Sequence, residues 1–190
     1  MIEVTRETKE TQISVKLNLY GTGKANINTG VGFYDHMLEA FTKHAHIDME
    51  VSCKGDTHID DHHTVEDVAI VIGQALKKAI YPVQSIERFG NATVVMDEAS
   101  ITCDIDLSNR GFLVFELPIG GKVGDFDVEL VEEFFKSFAF NLPLTLHLIY
   151  NRGKNKHHII EGAFKALAVA LRRAVTINEN AGIPSTKGVL

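Results

Sequence analysis

Tryptophan is absent from this 190-residue chain, and cysteine and proline are scarce, with two Cys and four Pro. The two cysteines, Cys53 and Cys103, lie 50 residues apart with no CxxC spacing, which excludes a disulfide scaffold and a cysteine-built zinc ribbon. Both sit in alternating apolar runs and read as reduced core residues. No Pro-, Gly- or Ser-rich linker divides the chain. No apolar run reaches the ~18 residues of a membrane span. The opening segment MIEVTRETKE has neither a signal-peptide core nor an Arg/Ser-rich amphipathic pattern. A cytoplasmic protein without membrane contact is expected. Basic residues are the minority, 19 Lys and Arg against 25 Asp and Glu, for a net charge of -6. The molecule as a whole is therefore no cationic nucleic-acid binder.

Histidine, in contrast, is plentiful. There are nine, and four of them form two adjacent pairs. His62-His63-x-x-Glu66 recurs as His157-His158-x-x-Glu161, an offset of 95 residues in a chain of 190. Imidazole is the commonest metal ligand among side chains. Two pairs with matched glutamates are hard to explain as solvated surface.

The surroundings of the motif repeat as well. In the first half, Gln12 to Leu19 alternates and reads as a strand, Gly21-Thr22-Gly23 as a turn, and Ala25 to Asn28 as a short strand. Phe33 to His44 has a helical period, Ile47 to Cys53 alternates, and Thr64 to Tyr81 is a strong amphipathic helix ended by Pro82. In the second half, 91–96, 101–107 and 112–117 read as strands and Asp127 to Phe140 as a helix. Leu144, Leu146 and Leu148 then alternate, and His157 to Ile177 reads as the last helix. The expected class is α+β: two fused repeats of a two-layer unit, each a mostly antiparallel sheet with two helices on one face. Residues 1–86 form the first repeat and 87–190 the second, together one compact domain.

Successive residues on a helix are ~100° apart. His62 and Glu66 share a face, as do His63 and Glu66, but His62 and His63 diverge. The same holds for His157, His158 and Glu161. One metal cannot easily take both neighbours, so each motif is expected to feed two metals, across a subunit contact. His36 and His147 supply one further imidazole from each half, giving three His and one Glu per metal. Alone, His36 could simply pair with Asp35, and His147 could be a satisfied core histidine. His44, His46 and His58 carry no spacing signal. Four protein ligands suit six-coordinate Mn²⁺ or Fe²⁺ with open positions, or a closed Zn²⁺ site.

Four stretches carry a resemblance: Asp35-His36-Met37-Leu38, the run from Gly55 to Asp67, Gly153 to Glu161, and Pro184 to Leu190. Together they closely resemble imidazoleglycerol-phosphate dehydratase, over essentially the whole chain. The resemblance implies two repeats like the second domain of ribosomal protein S5. It implies a homo-oligomer of 24 subunits with two Mn²⁺ per active site between subunits. The metal ligands it implies are His36, His62, His63, Glu66, His147, His157, His158 and Glu161. The substrate contacts it implies are Glu10, Arg88, Arg110, Lys165, Ser185, Thr186 and Lys187. Lys43-His44 and Val31-Gly32-Phe33 depart from the family's usual pattern, and neither touches an expected ligand.

The implied reaction is dehydration of imidazoleglycerol phosphate to imidazole acetol phosphate in histidine biosynthesis. No carbonyl acidifies the C–H to be broken. With both ring nitrogens on metals, the substrate imidazole can be held as imidazolate and expel the hydroxyl. Glu10 is the candidate acid/base, since Glu66 and Glu161 are committed as ligands. Arg88, Arg110 and Lys187 would hold the phosphate. A two-metal phosphate-ester hydrolase would want a bridging Asp, from Asp60, Asp61 or Asp67. A metal-storage oligomer would leave the Arg/Ser/Lys set without purpose.

Overall fold

The computed structural model describes residues 1–190. The first repeat runs Ile2–Glu7 (β1), Thr11–Asn18 (β2), Ala25–Asn28 (β3), Gly32–Ala45 (α1), Asp48–Gly55 (β4) and His62–Ile80 (α2). The second begins Phe89–Met96 (β5), Ala99–Asp106 (β6) and Phe112–Glu116 (β7), then a small hairpin, Lys122–Val123 (β8) and Phe126–Asp127 (β9). It closes with Glu129–Asn141 (α3), Thr145–Arg152 (β10) and Lys156–Ala174 (α4).

The sheets have the same wiring, β1-β2-β4-β3 and β5-β6-β10-β7. Three strands of each are antiparallel, and the last pair, β3 with β4 and β7 with β10, is parallel. This is the internal duplication expected from the repeated motif. Two elements were not foreseen. Strand β1 is polar at Glu3, Thr5 and Glu7, so its alternation rests on Ile2 and Val4 alone. The β8–β9 hairpin has no counterpart in the first half. The last helix also stops short of the expected Ile177: Val175 caps it, and Ile177 bridges to Ile86 instead.

Alternation along β2 buries Thr11, Ile13, Val15 and Leu17 on one face and turns Gln12, Ser14, Lys16 and Asn18 away. The buried face meets α2, while α4 covers β5 and β6. Helices of opposite repeats then pack on each other, α1 on α4 and α2 on α3. The result is sheet, helices, sheet, with the helices inside. Two phenylalanines of α3 join the halves, Phe134 meeting Tyr34 and Phe138 meeting Phe41 of α1, while Phe134 and Phe135 pack on Phe164 of α4 within the second half. The buried apolar residues of both halves form one continuous cluster. At Gly90 any Cβ would overlap the backbone carbonyl of Ala170, so glycine lets β5 approach α4 closely.

Candidate metal centres and substrate pocket

Both histidine pairs lie in the first turn of a helix. At α4, the Asn155 side chain accepts from the His157 and His158 backbone N–H groups at 2.9 and 3.4 Å. At α2, Asp60 Oδ1 accepts the His62 N–H at 2.8 Å. Each contact satisfies otherwise unpaired N–H donors at its helix start, two at α4 and one at α2, and helps fix where the pair projects. The neighbouring rings diverge, with centroids 6.2 Å apart in the first pair and 6.3 Å in the second.

In each pair the first histidine faces the glutamate one turn on. His157 Nε2 is 3.1 Å from Glu161 Oε2, and His62 Nε2 is 3.5 Å from Glu66 Oε2. Helix α1 brings His36 Nε2 within 3.3 Å of the same Glu161 oxygen. His36, His157 and Glu161 present ligand atoms all within 4.8 Å of one another. Two imidazoles and a buried carboxylate converging this closely fit a divalent cation. Burial pushes the Glu161 carboxyl up, but the Lys165 ammonium, 2.6 Å away, and His36 outweigh it and hold the group below its usual value.

The second histidine of each pair turns to other carboxylates. His63 Nδ1 is 3.0 Å from Asp56 and its Nε2 is 3.7 Å from Glu10. His158 Nδ1 is 2.7 Å from Glu98 and its Nε2 is 3.8 Å from Asp97. The hydrogen bond to Asp56 raises the His63 pKa, and that to Glu98 raises His158. Glu98 is drawn down to about 2 by His158 and by the backbone N–H groups of Asn155 and Lys154. Neither Asp56 nor Glu98 was anticipated from the sequence. Each lies outside the HHxxE spacing, and only its place beside a histidine in three dimensions gives it away.

His147 stands elsewhere in the chain. It points from β10 to the outer face of the second sheet, opposite Asp104 of β6 and Val114 of β7. It is not a core histidine. Asp106, two residues from Asp104 on the same face, binds Arg88 through Nε at 2.7 Å and Nη2 at 3.1 Å. Arg88, Arg110, Ser185, Thr186 and Lys187 line one pocket of about 350 Å³ there. Arg88 also donates to the Pro184 carbonyl at 2.6 Å, so it anchors the C-terminal segment. Arg110 and Lys187 have no carboxylate partner. Lys165 lies apart from this pocket, beside Glu161. His44 and His46 are both engaged by Arg172, His44 through its carbonyl and His46 through Nε2.

A family model described as imidazoleglycerol-phosphate dehydratase matches residues 29–171. The chain belongs to the imidazoleglycerol-phosphate dehydratase family. It is 90% identical over 190 residues to the dehydratase of Sulfurovum sp. strain NBC37-1, covering all of both chains. It is 68% identical over 190 residues to that of Aliarcobacter butzleri, again covering all of both. Among solved structures, the Pyrococcus furiosus dehydratase in complex with (S)-C348 matches with TM-score 0.87 and 38% identity, over 98% of this chain and 100% of that one. The Staphylococcus aureus dehydratase matches with TM-score 0.83 and 39% identity, over 93% and 99%. The chain is thus a lyase of the histidine-biosynthetic dehydratase family, with the family's two-repeat α+β fold.

Proposed function

We propose that this chain removes water from imidazoleglycerol phosphate to give imidazole acetol phosphate, using two Mn²⁺ per active site held between subunits. The observation that carries the metal part is the convergence of His36, His157 and Glu161 from two helices. His62 and Glu66 form the matching start of a second centre. His63, His158 and His147 point away from these clusters within the chain, which favours shells completed by neighbouring subunits. The resemblance carries the rest of the reading, a closed homo-oligomer of 24 subunits working in the cytoplasm. The boundary between repeats is assigned to residues 86 and 87, between α2 and β5.

The bound metals supply Lewis acidity that draws charge onto the substrate's imidazole ring. Arg110, Lys187, Ser185 and Thr186 grip the phosphate, with Arg88 bracing the segment that carries the last three. That grip orients the substrate chain for reaction. Glu10 moves the proton, since its carboxylate faces His63 Nε2 and is no ligand in either cluster. Lys165 neutralises Glu161 beside the metal centre.

Incubating the Mn²⁺-loaded protein with imidazoleglycerol phosphate tests the reading. The ketone is the expected product. Free phosphate would indicate a hydrolase instead, and no conversion at all would indicate metal storage.

A further inference from the structure

The two histidines that turn away from the HHxxE glutamates share an unassigned feature. Each has its Nδ1 against a carboxylate, Asp56 for His63 at 3.0 Å and Glu98 for His158 at 2.7 Å. An ionised carboxylate has no proton to give, so the ring nitrogen must be the donor. With the proton fixed on Nδ1, the Nε2 lone pair is the one left to bind a cation. A carboxylate behind a histidine also fixes the ring's rotation and makes its other nitrogen a better donor to a metal.

The two carboxylates are not copies of each other. Asp56 lies between β4 and α2, whereas Glu98 lies in the β5–β6 turn. By strand position the counterpart of Glu98 is Glu10, which directly precedes β2 as Glu98 precedes β6, and Glu10 faces His63 at Nε2 rather than Nδ1. Different elements thus meet the same need in each half. Glu98 is itself held rigidly, accepting the Lys154 and Asn155 N–H groups at 3.0 and 2.7 Å.

We propose that Asp56 and Glu98 are positioning residues which hold His63 and His158 as Nε2 metal donors, one for each motif. This rests on the metal reading above. It predicts that Mn²⁺ affinity, not only turnover, depends on both carboxylates.

The experiment is calorimetric titration of Mn²⁺ into the metal-stripped oligomer. Glu98→Gln and Asp56→Asn are each expected to weaken one class of site about 10- to 100-fold. Assembly size should match the unsubstituted protein. Unchanged affinity in both variants overturns the proposal. Glu98 also braces a loop, so a second comparison isolates its action through the histidine. In a His158→Ala background, Glu98→Gln should cause no further loss of affinity. A further loss as large as in the native background would assign Glu98 to the loop and overturn its positioning role. Should Glu98→Gln fail to assemble, Asp56→Asn and its His63→Ala cycle decide the matter, because the Asp56 side chain holds no other residue's backbone N–H. Failure of the unsubstituted protein to bind Mn²⁺ would overturn the metal reading itself, a distinct outcome.

Discussion

Adjacent histidines on one helix point to different partners, and the consequence is local chemistry that side-chain replacement can separate. Glu10→Gln is expected to bind Mn²⁺ and substrate normally while turnover falls by 10²-fold or more, on the order of a lost general acid/base. Equilibrium binding and steady-state kinetics measure the two halves of that statement, and normal turnover would remove Glu10 from the role. The cysteines should be inert by comparison. Burial, and next the Asp67 charge, push the Cys53 thiol up to about 11, and Cys103 is buried outright. At pH 8 Cys53 is then almost entirely the unreactive thiol. Iodoacetamide labelling of the folded protein at pH 8 should be far slower than in urea and should speed up as pH rises toward 11. The facing of His62 to Glu66 and of His157 to Glu161 was legible because helical periodicity converts spacing into direction. Asp56 and Glu98 were not, because a hydrogen bond between distant segments leaves no spacing in the chain.

The elements that were easiest to foresee are those with a strong one-sided apolar pattern. Helices α2 and α4 bury an unbroken stripe each, and both were found within a few residues of their ends. Strand β1 was lost to its polar outer face, and β8–β9, two residues each, is too short to show any period. Packing between elements makes two further predictions. Phe134→Ala in α3 empties a site shared by three helices and should lower stability by about 3–5 kcal/mol, read from denaturant unfolding. Gly90→Ala forces β5 away from the Ala170 carbonyl on α4 and should lower the thermal midpoint, although it removes no atom from the core. An unchanged midpoint would show that β5 and α4 can separate freely.

At the scale of the whole molecule, one chain displays the parts of the proposed site separately. His36, His157, Glu161 and Lys165 gather on α1 and α4, whereas His147 and the Arg110–Lys187 pocket face outward from the second sheet. Chains carrying His147→Ala and chains carrying His157→Ala should each be inactive alone. Mixed by co-expression, they should regain activity, because some sites would then draw both histidines from intact partners. Absence of any recovery would place the whole site within one chain. The layering has a different consequence. Four helices lie between two sheets, and each repeat covers the helices of the other. A half-length ancestor with this fold would have left one side of its helices bare to water. Such a chain would need to pair with its own copy, and joining two copies would turn that dimer contact into an interior. The contacts of Tyr34 with Phe134 and of Phe41 with Phe138 lie where that boundary would have run.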